Sequence, residues 1–335
     1  MYLLKKVINN QDAVVDEMIE GFISAYGNNY RKVDGVNGIV LKKKKDKVGI
    51  VIGGGSGHEP MFLGYVGEGL ADGVAIGNVF AAPTPNNVLE VTRAVDSGMG
   101  VLHIIINYEG DSLNFGMGAE LAEMEGLTVN RIVVCDDVVS APKERKEDRR
   151  GIAGAIFVYQ IAGAAADLGL SLEEVTRIAQ KAAEFVCTVG IALTPGTIPN
   201  TGIPTFELGE DEMEFGMGIH GEPGVQRTKI LQANELTETM LQYIIDDLPL
   251  KQEDEVCVLV NGLGSTTSME LMIVNRRISQ ILKEHNIFIY DTQIGNYCTT
   301  QEMGGFSISL LKLDDELKTY FNYPANSPFY KKVTR

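Results

Sequence analysis

Val51-Ile52-Gly53-Gly54-Gly55-Ser56-Gly57-His58-Glu59-Pro60 joins an apolar strand to four glycines, a serine and a histidine. The β-branched residues before the glycines predict a buried strand of a parallel sheet. Glycines permit positive φ and leave backbone N–H groups uncovered, so this turn is suited to enclosing a small polar ligand. A phosphate cradle and a plain tight turn give the same pattern. His58 favours a ligand site, because an imidazole directly after the glycines can move a proton near pH 7.

The composition limits the class of partner. The 335 residues are 44% hydrophobic, enough for two cores, because single cores rarely grow beyond about 250–300 residues. A net charge of −16 argues against nucleic acid and anionic membranes, since both require a basic face. No apolar run reaches the roughly 18–20 residues of a membrane span, and the N-terminus does not have the pattern of a signal peptide. We therefore expect a cytoplasmic protein whose partner is a small molecule or another protein.

The order of elements predicts the fold class. Strand-like and helix-like segments alternate through the first half, which predicts a mostly parallel sheet covered by helices on both faces. A segment rich in proline and glycine, residues 188–204, interrupts this alternation. We predict an α/β protein of two domains. Residues 1–186 form a three-layer α/β domain with the glycine-rich turn, and residues 187–335 form a two-layer α+β domain.

Two further segments supply candidate site residues. Asp111 follows the strand-like run at 101–107, at the edge where open α/β sheets collect functional side chains. The alternative role for Asp111 is N-cap of the helix that follows. His220 lies in Gly218-Ile219-His220-Gly221-Glu222-Pro223-Gly224, a second glycine-framed histidine followed by Glu and Pro. The remaining histidines, His103 in a strand and His285 in a polar turn, receive no functional role.

Two histidines and a carboxylate form a plausible set for chemistry on a polyol or ketose. A neutral imidazole can add to a ketone carbonyl to give a hemiaminal, provided that an acceptor orients its other nitrogen. The sequence contains no G-x-x-x-x-G-K-[ST] loop and no compact aspartate cluster suited to Mg²⁺ and nucleotide. Any phosphoryl donor must therefore come from outside this chain. The four cysteines are far apart and form no C-x-x-C, so we expect neither a zinc site nor a disulfide framework.

At four segments the sequence closely resembles the substrate-binding K subunit of bacterial dihydroxyacetone kinases, and the resemblance extends over essentially the whole chain. The four segments are Gly53-Gly54-Gly55-Ser56-Gly57-His58-Glu59-Pro60, Pro83-Thr84-Pro85, Asn107-Tyr108-Glu109-Gly110-Asp111, and the stretch from Glu212 to Gly224 that contains His220.

The resemblance implies a role for each candidate. His220 holds the ketone as a hemiaminal, Gly55, Ser56, Gly57 and His58 surround the ligand, and Asp111 and His58 act as base and hydrogen-bond partners of the reacting hydroxyl. It also implies a homodimer and a separate L subunit that carries the nucleotide, ADP or ATP, with magnesium. This chain itself is expected to bind no cofactor or metal.

Two positions depart from the family pattern. Ile106 stands where the family often has a lysine, and Ala82 stands where it often has a serine. Each change removes a polar group that could contact a substrate hydroxyl, so either dihydroxyacetone or a four-carbon ketose such as erythrulose could be preferred. We predict that Ile106 lines the pocket, although its strand position is equally compatible with the core.

Three alternatives remain open from the sequence. Related regulatory proteins bind the ketone and activate a transcription factor, which also requires the hemiaminal. The ultimate phosphoryl donor, ATP or a phosphoenolpyruvate relay, is determined by the partner chains. The glycine turn at Gly262-Leu263-Gly264 is interpreted as structural, as part of the pocket wall or a subunit contact.

Overall fold

A six-stranded mixed sheet forms the centre of the N-terminal half. The computed structural model describes residues 5–333. The strands are β1 (Tyr30–Lys32), β2 (Gly38–Leu41), β3 (Gly49–Ser56), β4 (Gly73–Val79), β5 (Val101–Ile106) and β6 (Val129–Val134). Their spatial order is β1-β2-β4-β3-β5-β6, and the four strands β4, β3, β5 and β6 are parallel. The carboxyl ends of these parallel strands therefore lie at one edge of the sheet.

Helices cover both faces of this sheet. They are α1 (Val14–Tyr26), α2 (Pro85–Val95), α3 (Glu109–Met124), α4 (Ala155–Asp167) and α5 (Leu172–Glu184). The alternating residues of β5 show the division, because Leu102 and Ile104 pack in one core cluster with α4, whereas Val101 and Ile105 pack in another with α2 and α3. The predicted three-layer arrangement is confirmed.

The second half contains another six-stranded mixed sheet. Its strands are β7 (Val186–Thr194), β8 (Glu212–Phe215), β9 (Gln226–Lys229), β10 (Glu255–Gly262), β11 (Phe288–Gly295) and β12 (Gly304–Leu313), in the spatial order β11-β10-β12-β7-β8-β9. Its helices are α6 (Ala233–Asp247), α7 (Ser268–Glu284) and α8 (Asp315–Phe321). The chain closes with a short hairpin of β13 (Ala325–Asn326) and β14 (Lys331–Lys332). Among the strands described for this sheet, β10 and β11 pair in parallel and the other neighbours pair antiparallel, so the sheet is predominantly antiparallel.

The two sheets share helix α4. One face of the second sheet packs on α6 and α7 through residues such as Val258 and Ile308, while the other face joins the core that contains α4 and α8. Twelve of the thirteen residues of α4 are buried, which explains its composition of alanine, glycine and apolar residues. At Gly163 a Cβ would lie 2.5 Å from the backbone of Leu70, so only glycine allows this approach.

Strand β7 begins at Val186, where the sequence predicts the domain change. The division into domains 1–186 and 187–335 stays a prediction, because the largest core cluster runs through both halves. Within residues 5–333 no helix is both long and apolar enough to span a bilayer.

Candidate functional site

The glycine-rich segment differs from its prediction in one respect. Strand β3 continues to Ser56, so three of the glycines lie within the strand, and in the segment 53–57 only Gly57 has a positive φ, of 102°. The glycines in the strand serve close packing instead. A Cβ at Gly54 would overlap the ring of Phe62, and one at Gly55 would lie 2.7 Å from the backbone nitrogen of Ala81. The glycines in the sequence indicated where the backbone is constrained, but not that close packing against neighbouring residues is the cause.

Ser56 and Gly57 make hydrogen bonds within this segment and to the neighbouring strand. The hydroxyl of Ser56 donates to the carbonyl of Gly77 at 2.7 Å. The backbone N–H of Gly57 donates to both carboxylate oxygens of Glu59, at 3.0 and 3.1 Å. These bonds fix the path of the chain into His58. Direct ligand contacts of Gly55, Ser56 and Gly57 stay a prediction.

His58 is fully buried at the end of this segment. Its Nδ1 lies 2.7 Å from the carbonyl oxygen of Thr299, so Nδ1 carries the hydrogen and donates it. The other nitrogen, Nε2, is buried and has no hydrogen-bond partner. Burial, and then the nearby His220, lower the pKa of His58 to about 3. The neutral ring therefore presents a lone pair on Nε2.

His220 lies in the loop between β8 and β9. Its Nδ1 donates to Oε1 of Glu222 at 2.8 Å, and its backbone N–H donates to Oε2 of the same carboxylate at 3.0 Å. Burial raises the pKa of Glu222, but the hydrogen bond and charge of His220 outweigh it and bring that pKa to about 2. When the imidazole of His220 is neutral, Nδ1 holds the hydrogen and the lone pair is on Nε2.

The structure brings the two histidines together. Their ring centroids are 4.8 Å apart, with the ring planes at 70°. Phe80 contacts both, at 5.1 Å from the His58 ring and 5.6 Å from the His220 ring. Tyr108 lies edge-on to His220 at 4.7 Å. Aromatic rings thus line the place where the two imidazoles meet.

Asp111 lies at the start of α3, on the same edge of the sheet. The helix begins at Glu109 and its N-cap is Tyr108, so the alternative interpretation of Asp111 as the N-cap is wrong. The carboxylate is buried, and its Oδ1 has no hydrogen-bond partner. Burial raises the pKa of Asp111 to about 7, while the charge of His220 acts in the opposite direction. A carboxylate with that pKa is suited to accept a proton near neutrality.

An ion pair supports the loop that carries His220. Arg150 donates from Nε to Oδ2 of Asp137 at 3.0 Å and from Nη2 to the carbonyl of Gly216 at 2.6 Å. Burial raises the pKa of Asp137 to about 7, against the charge of Arg150. The end of strand β6 is therefore tied to the second half of the chain at the candidate site.

Ile106 and Ala82, the two departures from the family pattern, lie in different surroundings. Ile106 is buried in the core cluster that includes α4, and a Cβ at Gly151 would lie 2.7 Å from its Cβ. No ring or hydrogen-bond contact connects it with the histidines, and its role in lining the pocket stays a prediction. Ala82 lies beside Gly110, where its Cβ is 3.3 Å from the Cβ that a side chain there would have.

Several residues of the site carry no catalytic signal in the sequence. Glu222 and Tyr108 lie inside the quoted motifs, but their contacts with His220 follow only from the fold. Phe80 and the backbone of Thr299 gave no signal at all. Among residues 5–333, no group of three or more His, Cys, Asp or Glu side chains is arranged to hold a metal ion.

Comparison with known proteins identifies relatives over nearly the whole length. The model of the Dak1 domain matches residues 20–329. The chain is 42% identical to PTS-dependent dihydroxyacetone kinase 2, dihydroxyacetone-binding subunit DhaK, of Listeria innocua, covering 98% of this chain and 99% of that protein. It is 39% identical to D-erythrulose kinase of Mycolicibacterium smegmatis, covering 98% of this chain and 57% of that protein. It is similar to the solved structure of the dihydroxyacetone kinase operon co-activator Dha-DhaQ, with 32% identity and a TM-score of 0.89, covering 95% of this chain and 98% of that one.

Proposed function

Because this chain belongs to the Dak1 domain family, we propose that it is the dihydroxyacetone-binding subunit of a multi-chain dihydroxyacetone kinase. It holds the ketose covalently while a separate L subunit, which carries ADP or ATP and magnesium, supplies the phosphoryl group. The observation that supports this most directly is the pair formed by His220 and Glu222, in which Nδ1 of His220 holds the hydrogen and Nε2 is left for the ketone. The His220 ring lies 4.8 Å from the His58 ring, and its charge acts on Asp111.

The covalent step uses this arrangement. The lone pair of His220 Nε2 forms a bond to the carbonyl carbon of the ketose, and the π electrons of the C=O bond move to its oxygen. That oxygen takes up one proton, while the positive charge that develops on the imidazole is stabilised by the carboxylate of Glu222. Loss of the Nδ1 proton restores a neutral ring, so the hemiaminal forms with no net change in protons. An alcohol such as glycerol has no carbonyl carbon to accept this bond.

The transfer step uses the second group of residues. The oxygen of a ketose hydroxyl attacks the terminal phosphorus of the donor, and Asp111 accepts the proton of that hydroxyl. The bond from the phosphorus to the rest of the nucleotide breaks. His58 Nε2 has a lone pair and no protein partner, so it accepts a hydrogen bond from the same hydroxyl. The nucleotide on the partner would supply the phosphoryl group, and magnesium would neutralise its charge.

A second candidate function is that of a ketose-binding coactivator of a transcription factor, because the co-activator Dha-DhaQ is similar over nearly its whole length. Asp111 favours the kinase, since a sensor that needs only the hemiaminal has no use for a buried base with a pKa near 7.

The two candidates are separated by a reconstitution experiment. The purified chain is mixed with dihydroxyacetone and ATP, with and without a nucleotide-carrying L subunit, and phosphorylated product is measured; a second arm replaces ATP with a phosphoenolpyruvate-driven relay. We expect binding by the chain alone and phosphate transfer only with the partner. Phosphate transfer by the isolated chain would contradict the proposal that a separate L subunit supplies the phosphoryl group. Ketose binding without transfer under every condition would favour the coactivator.

The preferred ketose, the oligomeric state and the location complete the proposal. D-erythrulose kinase is among the relatives, and Ile106 and Ala82 lack the polar groups of the family pattern, so kcat/KM is measured for both dihydroxyacetone and erythrulose. We propose that the protein is a cytoplasmic homodimer. Light scattering on the purified chain tests whether it is a dimer, and cell fractionation tests its location.

A further inference from the structure

The segment Tyr297-Cys298-Thr299-Thr300-Gln301, named here the bridging loop, connects strands β11 and β12 and contacts both histidine segments. The carbonyl of Thr299 accepts the hydrogen of His58 Nδ1 at 2.7 Å. The hydroxyl of the next residue, Thr300, donates to the carbonyl of Ile219 at 2.6 Å. Ile219 directly precedes His220, so two adjacent residues of one loop hold the two catalytic histidines.

The contact with the first histidine segment is extensive. The backbone N–H of Thr299 donates to the carbonyl of His58 at 3.1 Å, and that of Gln301 donates to the carbonyl of Gly57 at 2.9 Å. The hydroxyl of Thr299 donates to the carbonyl of Glu59 at 2.8 Å. His58 is therefore fixed by several bonds. In the second histidine segment, by contrast, the bond from the bridging loop that lies nearest to His220 is the one from the Thr300 hydroxyl to the carbonyl of Ile219.

A buried asparagine holds the bridging loop in place. Asn261, at the end of β10, accepts the backbone N–H groups of Tyr297 and Cys298 with its Oδ1, each at 2.8 Å. Its Nδ2 donates to the carbonyl of Cys298 at 2.8 Å and to the hydroxyl of Ser307 at 3.2 Å. This side chain is fully buried and satisfied on both ends, so it anchors the loop rigidly.

The glycine turn after β10 provides the other support. The backbone N–H of Thr300 donates to the carbonyl of Leu263 at 2.9 Å. A Cβ at Gly264 would collide with the carbonyl oxygen of Gln301, so the turn can lie against the loop only with glycine at this position. The turn at 262–264 thus supports the bridging loop.

We propose that Thr300 is a positioning residue, which sets the place of the His220 imidazole relative to His58 through the carbonyl of Ile219. The inference rests on the proposed function, in which His220 Nε2 attacks the ketone. Thr300 is fully buried, so its hydroxyl is committed to this bond and not to solvent. Removing the donor leaves the carbonyl of the peptide group between Ile219 and His220 without this bond, while its N–H keeps the bond to Glu222. We expect the imidazole to shift, and a displaced nucleophile reacts more slowly.

The test compares Thr300→Val, which removes the hydroxyl at nearly constant volume, with Thr300→Ser, which retains it. Thr237→Val is the matched control, because Thr237 is also fully buried and donates to a backbone carbonyl at 2.6 Å, within helix α6. The adduct with dihydroxyacetone is quantified by native mass spectrometry across a concentration series. Turnover is measured with the L subunit, and the ring signals of the four histidines are followed by NMR.

We expect Thr300→Val to weaken the adduct and lower kcat/KM by about tenfold or more and to shift the His220 ring signal. Thr300→Ser should stay within about threefold of the parent chain, and Thr237→Val should leave the adduct and the His220 signal unchanged. If Thr300→Val does not fold, Thr300→Ala carries the same expectation, since it removes the hydroxyl without adding volume.

Two failures are distinguishable. If the parent chain forms the adduct but Thr300→Val and Thr237→Val behave alike in adduct and NMR signal, the positioning role is wrong. If the parent chain forms no adduct, the proposed function fails, and the NMR signal of His220 alone then decides whether Thr300 places the ring.

Discussion

The segments 57–60 and 220–223 share a histidine, a glutamate and a proline, yet they use the glutamate differently. In both, the carboxylate accepts the backbone N–H of the residue two positions earlier. In the first segment that residue is Gly57, because His58 directly precedes Glu59. In the second, Gly221 is inserted between histidine and glutamate, so that residue is His220 itself, and the carboxylate also reaches its Nδ1.

With one inserted glycine, the two histidine rings therefore have different chemical environments. His58 is fully buried and bonded to a neutral backbone carbonyl of the opposite half, and its pKa falls to about 3. The side chain of His220 is 22% exposed and is paired with a carboxylate. The carboxylate stabilises the positive charge that a ring acquires on attacking a ketone, whereas a carbonyl does this less well. This difference supports the proposal that His220 has the covalent role and that His58 forms a hydrogen bond with the ketose.

The sharpest test of this assignment exchanges each histidine in turn. We expect His220→Ala to abolish the dihydroxyacetone adduct and turnover. His58→Gln should retain part of the adduct, because glutamine can still donate to Thr299, but should lose most of the turnover. Native mass spectrometry measures the adduct, and an assay with the L subunit measures turnover. An undiminished adduct in His220→Ala would move the covalent role to another residue.

In the proposed function Asp111, like His58, acts on the reacting hydroxyl of the ketose. Asp111→Asn should leave the adduct largely intact and lower turnover by about 10²–10⁴-fold, the usual contribution of a general base. The parent turnover should rise with pH through about 7, the pKa of Asp111, because only the ionised carboxylate accepts a proton.

The same variant has a predicted effect on stability. In the parent chain a pKa raised from 3.8 to about 7 makes the folded state less stable as pH rises through that range. Asp111→Asn should therefore raise the free energy of unfolding at pH 8 by about 1–3 kcal/mol. A turnover within a few-fold of the parent, or a loss of stability at pH 8, would contradict the role of a buried, ionised base.

The two glutamates offer a matched pair. Glu222→Gln keeps the shape but removes the charge that stabilises the imidazolium, so the adduct should weaken by about 10- to 100-fold. Glu59→Gln makes the same change where the carboxylate accepts from backbone N–H groups, including that of Gly57, and there we expect less than about fivefold. The measurement is adduct occupancy against dihydroxyacetone concentration. Equal effects of the two variants would end the distinction between the segments.

The last expected effect is the dependence of folding stability on acid. A buried histidine whose pKa is lowered from 6.5 to about 3 adds stability that is fully present above pH 6.5 and is lost as pH falls toward 3. Between pH 6.5 and 5 the parent chain should lose about 2 kcal/mol more than His58→Gln does. Urea titrations at both pH values test this, and parallel losses in the two proteins would show that His58 takes up its proton without cost.

Much of the architecture follows from the sequence, because periodicity and turn residues are local signals. The alternation of strands and helices predicted the three-layer first half, and the β-branched residues before Gly53 predicted the central strand. His58, His220 and Asp111 were found as candidates because polar side chains between glycines, or after a buried strand, are conspicuous.

Other features were accessible to the sequence only in part. The alternation of residues along β5 predicts that Ile106 lies on the same face as Ile104. It does not predict that this face packs on α4, because that depends on the path of the chain across the sheet. The glycines before Ser56 suggested unusual φ values. In the structure they are needed for packing instead, because Phe62 and Ala81 from other turns of the chain lie too close for a side chain. Asp111 resembled an N-cap until the helix proved to begin at Glu109.

The sequence by itself determined which side chains can do the chemistry, since imidazole and carboxylate groups carry it wherever they lie. Only the tertiary structure decided which nitrogen of each histidine is taken up by a hydrogen bond. That choice depends on the acceptor at Nδ1, which for His58 is a backbone carbonyl 241 positions along the chain. Every residue has such a carbonyl, so no residue type marks it, and only folding brings the one at Thr299 to His58.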